Sequence, residues 1–249
     1  MSLLRTRRWL GFTVTVIVAI VAFGLLSMWQ WHRADDKRQQ RLELQSALAQ
    51  DPVPLAEVTL PTEGITPADE WRHVQLTGTY LPESQVVVRK RPLDATNGFW
   101  VMTALQADDV GIVWINRGWE PVTGDALATP TTPDPPGGIV TVSGYLRPFE
   151  DGVAGINEGL PAGQIAAPAT AALPEVDATF PGYVQLTEAT PAQEGLVALP
   201  VPAVDESRNV SYAVQWLLFA GVAIAGWFFF LRREAKEDAE RSVKAAEGA

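Results

Sequence analysis

Two long apolar runs, one near each end of the chain, constrain the fold more than any other feature of the sequence. They cover positions 9–31 and 209–231, and each has 23 residues without a charged side chain. An α-helix rises about 1.5 Å per residue and the hydrocarbon core of a bilayer is about 30 Å thick, so about 20 apolar residues are enough to cross it. The sequence therefore predicts a membrane protein with two transmembrane α-helices at these positions.

The first run could also be the core of a cleaved signal peptide, because basic residues precede it. Signal-peptide cores have about 7–15 apolar residues and end at a small-x-small cleavage site. Here the apolar run is longer and ends in Trp29-Gln30-Trp31-His32. The sequence thus favours an uncleaved anchor.

The charges that flank the two runs predict the orientation of the chain. Basic residues precede the first run and follow the second, which by the positive-inside rule places both termini in the cytoplasm. Basic residues also follow the first run, so the second run decides the orientation. We predict a plasma-membrane protein with a cytoplasmic N-terminus (1–8), a helical extension outside the membrane (32–50), an extracytoplasmic domain (51–208) and a cytoplasmic tail (232–249).

The segment between the runs is strongly acidic. Positions 42–207 hold 22 Asp and Glu side chains against 6 Lys and Arg, which gives a formal charge of −16. A domain with this charge repels phosphate, so we expect no nucleic-acid partner. The chain has no cysteine, and the central domain must therefore fold without disulfides.

The hydrophobic period changes to two in the central segment, which is typical of β-strands. The connections are too short for βαβ crossover helices, so we predict a mainly antiparallel sheet that forms a small barrel or a sandwich. Two long loops, 121–137 and 151–181, are rich in Pro, Gly and Ala, and loops of this kind are binding segments or disordered. The predicted strands are 73–80, 84–91, 99–105, 111–117, 138–147 and 182–187.

The sequence offers little material for catalysis. With no cysteine and two histidines, a metal centre is not expected, and no phosphate-binding glycine loop or nucleophile elbow occurs. His73 opens a predicted strand, where an exposed or hydrogen-bonded histidine is the simplest interpretation. His32 lies at the membrane interface and is either an interfacial polar residue or a ligand of haem iron. We therefore predict that the protein is not an enzyme.

Two short segments have a pattern that allows more than one interpretation. Arg33, Lys37 and Arg41 recur at helical spacing, which indicates a solvated face or a contact with an acidic partner or with the chain's own acidic domain. In "WINRGWEP" we expect Arg117 to end a strand and Gly118 to permit a turn. A contact of Arg117 with a ligand or partner is the alternative.

Several of these motifs, in this order, match a known family. The matches are a Trp-Gln pair at the outer end of the first run with Arg and Lys after it, an Asn-Arg-Gly-Trp stretch, and a Tyr-Ala…Trp pattern that enters the second run. The chain resembles the surfeit locus protein one family, and its Pro- and Ala-rich insertions are similar to those of an actinobacterial member. The matching residues are Trp29, Gln30, Arg33, Lys37, Asn116, Arg117, Gly118, Trp119, Tyr212, Ala213 and Trp216.

The resemblance implies a non-catalytic factor that assists assembly of cytochrome c oxidase. Its role would be to aid haem a insertion or to stabilise the catalytic subunit during maturation. A permanent accessory subunit of the oxidase or of a respiratory supercomplex is the alternative. The matching residues other than Ala213 then become candidate contacts with an oxidase subunit, beside the lipid membrane itself.

Haem a is the one cofactor that the resemblance raises. Many bacterial relatives have a histidine linked to haem binding at the entrance to the second run, and in this sequence Asn209 stands there. An asparagine is a poor axial ligand compared with imidazole. Either no haem binds here, or His32 replaces that ligand from the neighbouring helix, or the protein acts by protein contact alone, which is the interpretation that we favour.

Overall fold

A computed structural model of the chain describes residues 6–58, 64–122, 130–152, 155–177 and 179–247. It divides into two compact units, a helical unit (Met1–Glu43 with Ala203–Ala249) and a β unit (Leu44–Pro202). In chain order the elements are α1 Arg7–Leu48, β1 Val53–Pro54, α2 Leu55–Val58, β2 His73–Val88, β3 Gly98–Ala107, β4 Gly111–Pro121, β5 Ile139–Pro148, β6 Gln164–Ile165, β7 Thr179–Thr190 and α3 Ser207–Glu247.

Both long helices are candidate membrane spans. In their most apolar stretches, only 6% of the residues of α1 and 0% of those of α3 are buried, so most of the apolar side chains point outward, unlike those of a soluble protein's core helix. α1 is one continuous helix of 42 residues that includes the apolar run and nearly all of the charged segment after it. The membrane boundaries at 31/32 and 208/209 stay predictions.

The two helices of the helical unit meet along one regular seam. Residues that are at least partly buried recur at alternating steps of four and three, which is the spacing of the a and d positions in a coiled coil. Polar contacts join the two segments in antiparallel order, from Arg8 with Glu234 in the helices to Arg41 with Glu206, which directly precedes α3. The seam residues are Trp9, Thr13, Val16, Ile20, Phe23, Ser27, Gln30, Ala34, Lys37 and Arg41 in α1 and Asn209, Ala213, Trp216, Ala220, Ala223 and Trp227 in α3.

The β unit is a closed five-stranded barrel. Its strands follow the order β2-β3-β4-β7-β5, and β5 pairs back with β2. Four of these pairings are antiparallel, which confirms the predicted small, mainly antiparallel barrel, whereas β4 and β7 are parallel. Numbered along the chain, the barrel strands run 1-2-3-5-4, the Greek-key order of an OB-type barrel.

The barrel encloses the main hydrophobic core and carries a second apolar layer outside. The inner cluster includes Tyr80, Ile115 and Phe180. The outer layer lies on β2, β3, β4 and β7, and part of the segment 155–177 packs on it through side chains such as Ile165 and Ala169. The described part of the predicted loop 151–181 is therefore a cover for the sheet, which explains its many alanines, and disorder is the wrong expectation for it.

Candidate functional site

The helical unit separates the predicted contact residues of the two helices into two groups. Gln30, Lys37 and Trp216 lie in the helical seam, where Trp216 stacks on Phe23 with 5.7 Å between ring centroids. Trp29, Arg33 and Tyr212 point outward, and Trp29 is 59% and Tyr212 46% exposed. Only the second group is therefore free to contact another molecule without separating the helices.

The three outward residues lie on the same side of the helix pair. Each directly precedes a seam residue, namely Gln30, Ala34 or Ala213. A helix turns about 100° per residue, so a residue just before the seam lies on one flank of its helix. Because α1 and α3 run in opposite directions, this flank is the same one for both helices. We call Trp29, Arg33 and Tyr212 the preceding flank.

Asn209 bonds to the first helix across the seam. Its Nδ2 donates to Gln30 Oε1 at 2.8 Å, and one turn deeper Ser27 Oγ donates to the carbonyl oxygen of Ala213 at 2.9 Å. Ser27 and Ala213 are 3% and 0% exposed, so α1 and α3 pack closely against each other at these two residues. Asn209 is thus part of the contact that holds the helices together.

Replacing Asn209 and Gln30 by alanine, singly and together, tests this bond. We expect a coupling energy of about 0.5–1.5 kcal/mol from the double-mutant cycle, which is the range for interhelical hydrogen bonds in membranes. The measurement is the unfolding free energy of the helical unit in detergent. A coupling energy of zero would show that the two amides do not interact.

A salt bridge and a hydrogen bond from a lysine lie at the end of the seam that is farthest from the chain termini. Arg41 pairs with Glu206 through two hydrogen bonds of 3.1 and 2.8 Å, and Lys37 Nζ donates to the carbonyl oxygen of Asp205 at 3.4 Å. The hydrogen bond from Arg41 holds the pKa of Glu206 below its usual value. Lys37 and Arg41 thus contact the two residues that directly precede α3, Lys37 through a backbone carbonyl and Arg41 through a carboxylate, and a contact of the basic stripe with the acidic domain or with a partner stays a prediction.

The two histidines lie in different surroundings. His32 is exposed and stands two positions after the seam residue Gln30, on the side of α1 that faces away from α3. Haem ligation by His32 stays a prediction, and such a ligand would point away from Asn209. His73 Nε2 lies 2.9 Å from Ser143 Oγ, and the ring packs against Tyr145, as expected for a hydrogen-bonded histidine.

The Asn-Arg-Gly-Trp stretch lies inside strand β4, so the predicted strand end at Arg117 and turn at Gly118 are wrong. β4 continues to Pro121. Opposite it, Val101 pairs with Gly118 and Met102 with Asn116, so Arg117 is the extra residue of a β-bulge. A bulge permits such an insertion because two residues of one strand oppose one of the other.

Arg117 is the centre of a buried polar cluster. It is 2% exposed, and its Nε donates to Gln193 Oε1 at 2.7 Å. Nη1 donates to Gln85 Oε1 and to the carbonyl oxygen of Pro133, and Nη2 to that of Asp134 at 3.0 Å. A single guanidinium thus connects β2 with two loop segments that are distant in sequence.

Burial shifts the pKa values of two ionisable side chains in and beside the buried cluster. Burial raises the pKa of the Tyr80 phenol, which lies beside Arg117, to about 12. Burial also lowers the pKa of Arg117, although the nearby Asp134 opposes this effect. The phenol is therefore protonated near neutral pH, and the arginine has the role of a hydrogen-bonding anchor.

Trp119 connects the segment that follows β7 to strand β4 through backbone hydrogen bonds. Its backbone exchanges two hydrogen bonds with Val197, of 2.8 and 2.9 Å, and its indole Nε1 donates to the carbonyl oxygen of Arg91 at 2.6 Å. Gln185 Nε2 donates to the carbonyl oxygen of Leu199 in the same segment. Residues 193–199, which lead toward α3 in the chain, are thus held on the barrel at several points.

All four residues of the Asn-Arg-Gly-Trp stretch (116–119) are buried in the β unit. Asn116 is 1% exposed, and neither its Oδ1 nor its Nδ2 has a hydrogen-bond partner among the described residues. Gly118 has φ +148° and lies against the backbone of Val197, where a Cβ has no room. Contact of these four residues with a partner remains a prediction, and Arg117 and Trp119 would first have to leave their partners in the segments 133–134 and 193–199.

The sequence pattern did not identify some other residues that take part in these contacts. Gln85 and Gln193 bind Arg117, but single glutamines in a strand and in a loop give no pattern to detect. Ser27 could have been found, because it is a polar residue at a seam position within an apolar run. In the part of the chain that the structure describes, no group of three or more His, Asp or Glu side chains is placed to hold a metal ion.

The fold and these clusters define a class of membrane protein in which two apolar helices flank a closed OB-type barrel in the sequence. The chain belongs to the SURF1 family, whose model matches residues 17–221. An uncharacterized SURF1-like protein of Mycobacterium tuberculosis is 30% identical over 249 residues, which cover 95% of this chain and 88% of that protein. A SURF1-like protein of Dictyostelium discoideum is 30% identical over 118 residues, 45% of this chain and 43% of that protein. The family resemblance predicted from the motifs is confirmed, and the mycobacterial relative agrees with an actinobacterial member.

Proposed function

We propose that this protein is a non-catalytic, membrane-anchored assembly factor for cytochrome c oxidase. It assists haem a insertion or stabilises the catalytic subunit during maturation, and it works at the plasma membrane with the barrel outside and both termini in the cytoplasm. The observation that carries the proposal is family membership, because the match over 17–221 includes most of both apolar runs and the whole barrel. No single sequence motif would be sufficient support for this proposed function.

The structure supports action by protein contact in preference to haem carriage. Asn209, which stands where relatives have histidine, already donates its amide to Gln30. The preceding flank offers an aromatic ring and a guanidinium on α1 and a phenol on α3, all outward-facing. Tryptophan, tyrosine and arginine are the residues that most often dominate protein interfaces. We assign the oxidase contact to this flank.

Affinity purification of the full-length protein from its own membranes tests the proposal. Oxidase subunits are expected to co-purify with the wild type. The double variant Trp29→Ala with Arg33→Gln should recover about tenfold less oxidase, since interface anchors of these types often contribute more than about 1 kcal/mol each. Recovery of no oxidase subunit with the wild-type protein would refute the proposal.

The other side of α1 provides a matched control. Trp31 and Arg38 directly follow the seam residues Gln30 and Lys37, and Trp31 is 47% exposed. Trp31→Ala with Arg38→Gln therefore removes the same side-chain types from the opposite flank, and we expect no loss of oxidase. Equal losses in both double variants would contradict the assignment to the preceding flank. Stoichiometric retention in purified active oxidase would favour a permanent accessory subunit.

A further inference from the structure

A cleft opens between α1 and α3 at the end of the helical unit that bears both chain termini. It has a volume of about 310 Å³ and is lined by Arg8, Trp9, Phe12, Phe230 and Glu234. The cleft lies at the opposite end of the helix pair from Asn209 and from the preceding flank. It therefore lies apart from the candidate partner contacts, although Trp9 belongs to the seam and the Arg8–Glu234 pair joins the two helices.

The walls of this cleft are aromatic. Trp9 and Phe12 pack edge to face with centroids 5.6 Å apart, and Phe12 and Phe230 do the same at 6.2 Å. Phe12 is 37% and Phe230 50% exposed, so the rings leave apolar surface open to the surroundings. Both rings belong to apolar runs, and the natural occupant of such a surface is an acyl chain.

The rim of the cleft is polar and includes a hydrogen-bond donor that has no acceptor among the described residues. Trp9 is 4% exposed, and its indole Nε1–H has no acceptor among the described residues. A buried donor without an acceptor is uncommon and usually indicates a missing water or ligand. The neighbouring Arg8 is 82% exposed and lies 3.5 Å from the Glu234 carboxylate, which is 23% exposed. An ion pair with so exposed a partner contributes little to stability, so the guanidinium is available to a second anion.

The charge around the cleft is positive. Arg7 and Arg8 precede the first apolar run, and Arg232, Arg233 and Lys236 follow the second, against Glu234 and Glu237. Basic residues at this level of a membrane protein attract anionic head groups. We propose that the cleft binds one anionic phospholipid, whose phosphate accepts hydrogen bonds from Arg8 and from Trp9 Nε1 and whose acyl chain lies along Phe12 and Phe230. This inference does not depend on the role in oxidase assembly.

Native mass spectrometry of the purified full-length protein, titrated with phosphatidylglycerol or phosphatidylcholine, tests the site. The wild type should bind one phosphatidylglycerol about tenfold more tightly than phosphatidylcholine, as expected for a charge-assisted contact. Trp9→Phe keeps an aromatic ring but removes the N–H, and Arg8→Gln removes the charge. Each variant should reduce the preference for phosphatidylglycerol severalfold.

Arg233→Gln is the control, because Arg233 lies at the same end of α3 but pairs with Glu237 and does not line the cleft. It should bind phosphatidylglycerol like the wild type. Equal binding of the two lipids, or unchanged binding in both cleft variants, would overturn the proposal. Displacement of the lipid by inorganic phosphate would also overturn it, because the site would then recognise free phosphate.

Discussion

Replacement of Arg117 by leucine is expected to lower the unfolding free energy of the barrel by about 3–5 kcal/mol. The guanidinium makes four hydrogen bonds, to two glutamine side chains and two backbone carbonyl oxygens. Leucine supplies none of them, so buried acceptors are left without donors. The measurement is urea unfolding of the full-length protein in detergent, followed by tryptophan fluorescence.

Two further variants identify the cause of that loss. Arg117→Lys keeps the charge but lacks the planar fork, so it should recover only part of the stability. Arg72→Leu removes an arginine from the same domain whose side chain makes no hydrogen bond or ion pair with any described residue, and it should change the unfolding free energy by less than about 0.5 kcal/mol. If Arg117→Leu is as stable as Arg72→Leu, the buried cluster does not stabilise the barrel.

Replacement of Gly98 by alanine should destabilise the barrel by about 2–4 kcal/mol. A Cβ at this position would overlap the indole ring of Trp119 and the carbonyl oxygen of Glu120. The ring must then move, which breaks the 2.6 Å hydrogen bond from Trp119 Nε1 to Arg91. The loss can be measured as a shift of the same urea transition.

Gly137 provides the matched control for this substitution. A Cβ on Gly137 meets nothing within 4 Å. Gly137→Ala should therefore leave the urea transition within about 0.5 kcal/mol of the wild type. A Gly98→Ala variant that behaves like Gly137→Ala would show that Trp119 is not packed tightly against this strand.

These two substitutions act on one structural feature, the attachment of residues 193–199 to the barrel. Arg117 binds Gln193, and Trp119 pairs with Val197. The Asn-Arg-Gly-Trp stretch therefore organises the path of the chain as it leaves the barrel. This role is internal to the protein, and contact of the stretch with a partner stays a prediction.

The sequence predicts the fold well wherever a regular pattern controls it. Two uncharged runs give the long helices, and alternation gives the barrel strands. The prediction is less accurate at Pro82, where two strands were expected and β2 is continuous. The pairing of β2 with β3 shifts register between Leu81 and Val86, and proline is tolerated at such an irregularity because no ladder hydrogen bond is required there.

The parallel pairing of β4 with β7 could not be predicted from local pattern. Ile112 pairs with Thr179, and the segment between them includes β5 and the cover of the outer face. Such a pairing depends on how distant segments pack, and alternation within a strand carries no information about it. The same packing explains why a segment rich in Ala and Pro resembled an unstructured loop.

The candidate contact residues were only partly predictable. Helical spacing placed Trp29, Arg33 and Lys37 near one another along α1, but it did not show that Lys37 turns into the seam toward Asp205. For Arg117 the pattern failed because every residue from 112 to 119 is buried, so no alternation distinguishes inward from outward positions. A buried arginine is recognised only when its acceptors are known, and these lie far away in the sequence.

The role in oxidase assembly is tested most directly by deleting the gene and recording difference spectra and oxidase activity of the membranes. The proposal predicts a marked loss of haem a absorbance and of oxidase activity, restored by the wild-type gene. The gene with Trp29→Ala and Arg33→Gln should restore little, and the gene with Trp31→Ala and Arg38→Gln should restore both. Normal haem a content together with normal oxidase activity in the deletion strain would contradict the proposed function.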